Sequence, residues 1–205
     1  MPASIDTIMA LAPVIPVLVI EDVAHALPVA EALVAGGLFA LEVTLRTPCA
    51  LDVIREMTQV PGAVVGAGTV LNPSDLDAAL AAGAQFIVSP GLTPALGAAA
   101  IASGVPFLPG TANAADIMLG LDMGLTRFKF FPAEASGGMA ALKAIAAPFG
   151  MARFCPTGGI TLNSAPQWLA LEPVVCVGGS WMVSKGAPDP ATIEAAARAD
   201  AGLSA

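Results

Sequence analysis

The chain has 205 residues, enough for one large domain and too few for two comfortable ones. It is 56% hydrophobic and 12% charged, with a formal net charge of -8, and this balance without any cluster of Lys or Arg excludes a nucleic-acid surface. The longest uncharged stretch, residues 78–115, is cut by Pro90, Pro94, Pro106 and Pro109 into pieces shorter than the roughly 20 apolar residues of a membrane-spanning helix.

Residues 1–11 carry Asp6 and lack both a basic start and a long apolar core, so no secretory signal is expected and the chain is expected in the cytoplasm. A leading helix over about residues 4–11 comes first. Short apolar runs then recur at residues 14–20, 40–46, 63–70, 86–90, 106–110, 127–131, 153–158 and 174–179, and each reads as a strand. Between them lie Ala- and Leu-rich segments, such as 23–35, 76–82, 95–102, 114–123 and 138–147, often preceded by Asp, Asn, Ser or Thr suited to capping. Eight units in 205 residues leave about 26 residues each, close to what a closed (β/α)8 barrel requires.

Val14-Ile15-Pro16-Val17-Leu18-Val19-Ile20 is nearly continuous in apolar character, as expected of a strand buried on both faces. An open doubly wound sheet is the rival fold. It would favour a GxGxxG turn after the first strand, whereas Glu21-Asp22-Val23 leads straight into a helix. The predicted class is therefore α/β, a (β/α)8 TIM barrel with the leading helix capping its bottom, and residues 1–205 form one domain. Residues 185–190 read as a surface loop before the last helix. Cys49, Cys155 and Cys176 show no CxxC or Cys/His spacing and read as reduced packing residues.

In such a barrel, chemistry belongs at the C-terminal ends of the strands. In Ala40-Leu41-Glu42-Val43-Thr44-Leu45-Arg46, the period of two puts Leu41, Val43 and Leu45 on the helix side and Glu42, Thr44 and Arg46 on the other, so Glu42 and Arg46 are expected to point into the barrel near its mouth. In Arg127-Phe128-Lys129-Phe130-Phe131-Pro132 the same argument turns Phe128 and Phe130 outward and Lys129 inward. One reading of this Lys and Glu is a structural ion pair. The other is catalytic: an amine to attack a carbonyl, a carboxylate to move protons, and the Arg46 guanidinium to hold a carboxylate, which are the needs of an imine-forming aldolase acting on a 2-oxo acid. Apolar surroundings favour the neutral amine, and Glu42 opposes this by stabilising the ammonium.

Pro156-Thr157-Gly158-Gly159-Ile160 and Val177-Gly178-Gly179-Ser180 end the seventh and eighth strands. Paired glycines can simply make tight turns. Two such pairs on neighbouring loops, with hydroxyls from Thr157 and Ser180, better suit a phosphate cradled by backbone N–H groups.

Across nearly its whole length the chain resembles the 2-keto-3-deoxy-6-phosphogluconate (KDPG) aldolases, which also cleave 4-hydroxy-2-oxoglutarate. The resemblance is carried by Pro16-Val17-Leu18, Leu41-Glu42-Val43-Thr44-Leu45-Arg46-Thr47, Val65-Gly66-Ala67-Gly68-Thr69-Val70, Val88-Ser89-Pro90-Gly91, Phe128-Lys129-Phe130-Phe131-Pro132-Ala133-Glu134, Pro156-Thr157-Gly158-Gly159-Ile160 and Gly178-Gly179-Ser180, in that order. It implies a class I aldolase, a homotrimer in the cytoplasm serving the Entner-Doudoroff pathway, with no cofactor and no metal. Lys129 would form the Schiff base with pyruvate and Glu42 would be the general acid/base. Arg46 and Thr69 would bind the pyruvate carboxylate region, Pro90 and Phe131 would line the pocket, and Thr157 would contact substrate. Gly158, Gly159, Gly178, Gly179 and Ser180 match the phosphate region.

Threonine at position 157 resembles the gluconate-type enzymes more than their galactonate-type relatives. Thr111-Ala112-Asn113-Ala114-Ala115-Asp116 departs from the Pro- and Thr-containing turn of the family. Competing readings are a 2-dehydro-3-deoxy-6-phosphogalactonate aldolase, a metal-dependent aldolase, a phosphosugar isomerase and a non-catalytic phosphate-binding barrel. His25 reads as a surface residue of the first helix and not a metal ligand, Arg55, Lys143 and Arg198 as solvated helix residues, and Arg127 as lying below Lys129. Trp168 and Trp181 suit either the helix layer or a subunit contact.

Overall fold

Prolines and capping side chains set most element boundaries in the computed structural model, which describes residues 4–184 and 186–203. Ser4 accepts a hydrogen bond from the Thr7 amide and opens α1 (Ile5–Met9), which precedes β1 (Val14–Leu18). A 3-10 turn (Val23–His25), capped by Asp22, leads into α2 (Ala26–Ala35), then β2 (Ala40–Thr44), α3 (Ala50–Met57) and β3 (Val64–Gly68). Asn72 caps α4 (Pro73–Ala81) before β4 (Phe86–Val88), and Thr93 caps α5 (Pro94–Ser103). Next come β5 (Phe107–Leu108), β6 (Gly110–Thr111), α6 (Ala114–Asp122), β7 (Arg127–Phe130), α7 (Gly138–Ala146) and β8 (Arg153–Pro156). The last elements are α8 (Ala165–Leu169), β9 (Val177–Gly179) and α9 (Pro190–Ala201).

All strand pairings are parallel, in a six-stranded sheet of order β5-β4-β3-β2-β1-β9 and a three-stranded sheet of order β6-β7-β8. Single parallel bridges, Phe154 to Val174 and Thr157 to Gly178, join the β8 segment to the β9 segment. The molecule is an α/β fold built on parallel sheet. No helix among the described residues is long and apolar enough to cross a membrane.

Alternation along the strands divides the core in two. The larger cluster, between strands and helices, holds Val14, Leu18, Leu41, Val43, Phe128, Phe130 and Phe154, each fully or almost fully buried. Burial of one such side chain contributes roughly 2–3 kcal/mol. The smaller cluster lies on the opposite strand faces and contains Ile15, Ala40, Phe86, Val88, Leu108, Cys155 and Cys176 together with Ile8 and Met9 of α1. The leading helix thus packs on the inner strand faces, and Asp6 pairs with Arg127 at the start of β7.

The expected fifth strand, residues 106–110, is divided. Pro109 has no N–H to continue a ladder, so Phe107–Leu108 pair with β4 while Gly110–Thr111 pair with β7. The Pro109 carbonyl accepts from the Lys129 amide at 2.8 Å. The expected strand 174–179 begins at Val177, with Val174 contributing only a bridge. The predicted helix 23–35 opens as the 3-10 turn, which ends at the half-buried His25. Of the expected 185–190 loop, residue 185 lies outside the described residues; 186–189 are non-helical and Pro190 starts α9.

Candidate active site

β2 carries Glu42 and Thr44 on the same face as Ala40, toward the inner cluster, because Leu41 and Val43 occupy the helix side. β7 turns Lys129 inward for the same reason. Lys129 Nζ donates to Glu42 Oε1 at 3.0 Å and to Oε2 at 3.4 Å, and the two side chains are only 5% and 4% exposed. Glu42 fits because position 68 is glycine: a Cβ there would lie 2.7 Å from Glu42 Cγ and closer still to its carboxylate. Glycine has no side chain to pack in a strand core, so Gly66 and Gly68 inside the third apolar run are the sequence signal for such a close approach.

The Phe131 ring centroid lies 5.3 Å from Lys129 Nζ, a cation-π arrangement when the amine is protonated. Phe131 also lines a cavity of about 160 Å³ shared with Arg46, Thr157, Gly158, Gly159, Gly178, Gly179 and Ser180. The ion pair therefore sits behind the wall of a pocket that gathers most of the sequence-predicted residues. Val17, Val19 and Ile160 complete its lining and were not singled out. Val17 and Val19 belong to an unbroken apolar run, in which no contrast marks the positions that face a ligand.

Arg46 lies beyond the end of β2, in the turn before α3, and is exposed where it lines the cavity. Its Nε donates to Thr69 Oγ1 at 3.2 Å. Thr69 has φ 61°, the one non-glycine in the left-handed region among the described residues, a conformation that costs a threonine of order 1 kcal/mol or more. Pro90 is half-buried after β4 and is not among the residues lining the cavity; its carbonyl lies where a Cβ on Gly110 would fall. Arg46 and Val19 also border a neighbouring cavity of about 320 Å³ reached by Glu21, His25 and Ser184.

The two glycine pairs differ in backbone. Gly158 and Gly159 have φ 103° and 82°, which favour glycine, whereas Gly178 and Gly179 are in β9 and are buried. A Cβ on Gly178 would strike Thr157 Oγ1, so Thr157 and the second glycine loop are in direct contact. The segment 111–116 runs from the end of β6 into the first turn of α6 and is capped by Asn113, whose Oδ1 accepts from the Asp116 amide while Asp116 Oδ2 accepts from the Ala112 amide.

Cys155 and Cys176 are buried free thiols, and Cys49 is half-buried. A hydrogen bond with Cys155, and then burial, push the Cys176 thiol up, so it stays protonated and serves packing. Among the described residues no group of three or more His, Cys, Asp or Glu side chains could hold a metal ion. The arrangement offers an amine with a carboxylate in proton-transfer range, beside a cavity lined by an arginine and two glycine loops.

A family model described as "Aldolase: KDPG and KHG aldolase" matches residues 5–196. A 2-dehydro-3-deoxy-phosphogluconate aldolase of Zymomonas mobilis is 64% identical over 194 residues, spanning 95% of this chain and 93% of that one. The crystal structure of the 2-keto-3-deoxy-6-phosphogluconate aldolase of Zymomonas mobilis ZM4 with 3-phosphoglycerate superposes with a TM-score of 0.96 at 62% identity, covering 98% and 96% of the two chains. A Legionella pneumophila KDPG aldolase, with pyruvate captured as a covalent carbinolamine intermediate, superposes with a TM-score of 0.92 at 43% identity over 99% of each chain.

Proposed function

The chain belongs to the KDPG and KHG aldolase family, and from that premise we propose how its residues divide the reaction. It is a Schiff-base aldolase that cleaves 2-dehydro-3-deoxy-6-phosphogluconate to pyruvate and glyceraldehyde 3-phosphate. The observation that carries the assignment of roles is the buried Lys129–Glu42 contact at 3.0 Å beside the cavity.

Lys129 Nζ attacks the C2 ketone, and the carbinolamine loses water to give an iminium. Glu42 is within range to receive the amine's proton and to return it to the departing hydroxyl. It then takes the C4 hydroxyl proton, directly or through one water, as the C3–C4 bond breaks and its electron pair moves into the iminium. The aldehyde leaves, the enamine is protonated at C3, and hydrolysis returns pyruvate and free Lys129. The iminium is the electron sink, so the scheme calls on no metal.

Arg46, steadied by Thr69, holds the carboxylate of the 2-oxo acid. Phe131 and Thr157 flank the reacting carbons and Pro90 supports the rim. Gly158, Gly159, Gly178, Gly179 and Ser180 receive the phosphate through backbone N–H groups and the hydroxyl. Their placement around one cavity with Arg46 supports this reading. 4-Hydroxy-2-oxoglutarate, which lacks the phosphate, is a second substrate served by the same Lys129 chemistry.

The two sheets are read as one closed (β/α)8 barrel with α1 across its bottom. Support comes from the β8-to-β9 bridges, the division of one strand at Pro109, and the packing of Ile8 and Met9 on the inner cluster. A cytoplasmic homotrimer of this domain is the proposed assembly. Exposed Phe39, Leu71, Met118 and Met151 are among the side chains available to an interface.

The direct test is incubation of the purified chain with the gluconate substrate and quantification of both products. Equal amounts of pyruvate and glyceraldehyde 3-phosphate are expected, formed faster than from the galactonate epimer. Absence of cleavage, or faster cleavage of the galactonate epimer, would overturn the assignment.

A further inference from the structure

Behind each glycine pair stands a tryptophan whose indole N–H is held by a carboxylate. Trp168 Nε1 of α8 donates to Glu134 Oε1 at 3.1 Å, and Trp181 Nε1 donates to Asp200 Oδ1 of α9 at 3.2 Å. Both units press on the second glycine of a pair. A Cβ on Gly159 would lie 2.7 Å from Glu134 Cβ and Cγ, and a Cβ on Gly179 would lie 2.1 Å from the nearest benzo-ring carbon of Trp181. The two glycines therefore rest with their Cα atoms directly against Glu134 and Trp181.

The supports are anchored in turn. Trp168 is fully buried, with its ring centroid 6.4 Å from that of Phe130, next to Lys129. The Glu134 amide donates to the Gly158 carbonyl at 3.0 Å, so Glu134 contacts its loop through both backbone and side chain. Asp200 is fully buried, and its Oδ2 has no hydrogen-bond partner among the described residues. α9 is fixed against α2 by a contact so close that a Cβ on Gly36 would meet Ala197. A buried carboxylate oxygen without a partner is costly, and a well-packed apolar residue would fill the same space without that cost. What the carboxylate supplies that an apolar residue cannot is an acceptor that fixes the Trp181 ring.

We propose that Trp168–Glu134 and Trp181–Asp200 are positioning pairs for the phosphate subsite, holding the Gly158–Gly159 and Gly178–Gly179 loops at the spacing one phosphate requires. The inference rests on the glycine loops being that subsite. Neither pair touches the Lys129–Glu42 centre through a hydrogen bond, so binding of the phosphorylated end and imine chemistry respond separately. Preorganised backbone donors lose affinity when their spacing relaxes, while chemistry at a distant carbon does not.

The test compares Trp181→Phe, Asp200→Ala and Asp200→Asn in the full-length chain. Trp181→Phe keeps an aromatic ring and loses the donor, Asp200→Ala loses the acceptor, and Asp200→Asn keeps an acceptor. The first two should raise KM for the phosphorylated substrate, and the inhibition constant of inorganic phosphate, about fivefold to tenfold. Their kcat should change less than twofold, and their rate of borohydride-trapped adduct formation with pyruvate, which has no phosphate, should match wild type. Asp200→Asn should restore phosphate affinity. Trp168→Phe repeats the measurement on the other loop if either α9 variant fails to fold. An unchanged KM, a parallel loss of pyruvate trapping, or failure of Asp200→Asn to rescue would overturn the proposal. If wild type forms the pyruvate adduct but is not inhibited by inorganic phosphate, the subsite reading itself fails.

Discussion

Lys129 Nζ and Glu42 Oε1 meet at 3.0 Å, reaching from β7 and β2 into a space that leaves the two side chains 5% and 4% exposed. A buried ion pair is weak support for stability in itself, but removing one member leaves an uncompensated charge. Lys129→Met should therefore abolish turnover and also destabilise the fold by about 3–5 kcal/mol. Adding Glu42→Leu to it should recover much of that stability and none of the activity. Denaturant unfolding of the single and double variants checks both halves.

Glu42→Gln keeps shape and hydrogen-bonding capacity but removes the base. It should still form the imine with pyruvate, while turnover falls roughly 100-fold to 10,000-fold. Single-turnover trapping set beside steady-state kinetics separates the two effects. Normal turnover would remove Glu42 from its assigned role.

Gly68→Ala places a methyl group against the Glu42 carboxylate. The chain should still fold, and kcat should drop about tenfold to 100-fold because a carboxylate displaced by less than an ångström no longer meets the proton it moves. The measurement is kcat alongside circular dichroism.

Arg46 is exposed, and its placement rests on one hydrogen bond from Nε to Thr69. Arg46→Lys keeps the charge and loses the fork that holds a carboxylate by two bonds. The pyruvate concentration giving half-maximal trapping should rise about tenfold, with thermal stability unchanged, as expected for an exposed side chain. A large drop in Tm with unchanged pyruvate affinity would contradict this role.

Burial raises the Asp200 carboxyl to about 6, against a smaller opposing effect of the Trp181 hydrogen bond. The native state then binds this proton more tightly than the unfolded chain, whose aspartates titrate near 4. Its contribution to stability is present below about pH 4 and is lost as pH rises from there through about 6. Asp200→Asn, which does not titrate, should be more stable than wild type at pH 8 by roughly 1–3 kcal/mol, with the gap closing toward pH 4. Thermal melts across that range measure it.

Much of the site was legible because β2 and β7 alternate in side-chain character. With Leu41 and Val43 committed to the helix side, Glu42 had one direction left, and Phe128 and Phe130 constrained Lys129 in the same way. Where alternation failed, so did the reading. The run from Val14 to Ile20 is apolar on both faces, so Val17 and Val19 gave no sign that they line the cavity. Pro109 divides a strand that looked continuous, because a missing N–H is visible in sequence but the switch of partner from β4 to β7 is not. The tryptophan–carboxylate contacts join residues 34 and 19 positions apart, and no local pattern announces them.

The most direct measurement is to incubate the chain with pyruvate and sodium borohydride, digest it and map the mass gain. The account predicts one reduced adduct, on the peptide containing Lys129, absent in Lys129→Met and retained in Glu42→Gln. No adduct, or an adduct on Lys143 or another lysine, would contradict it.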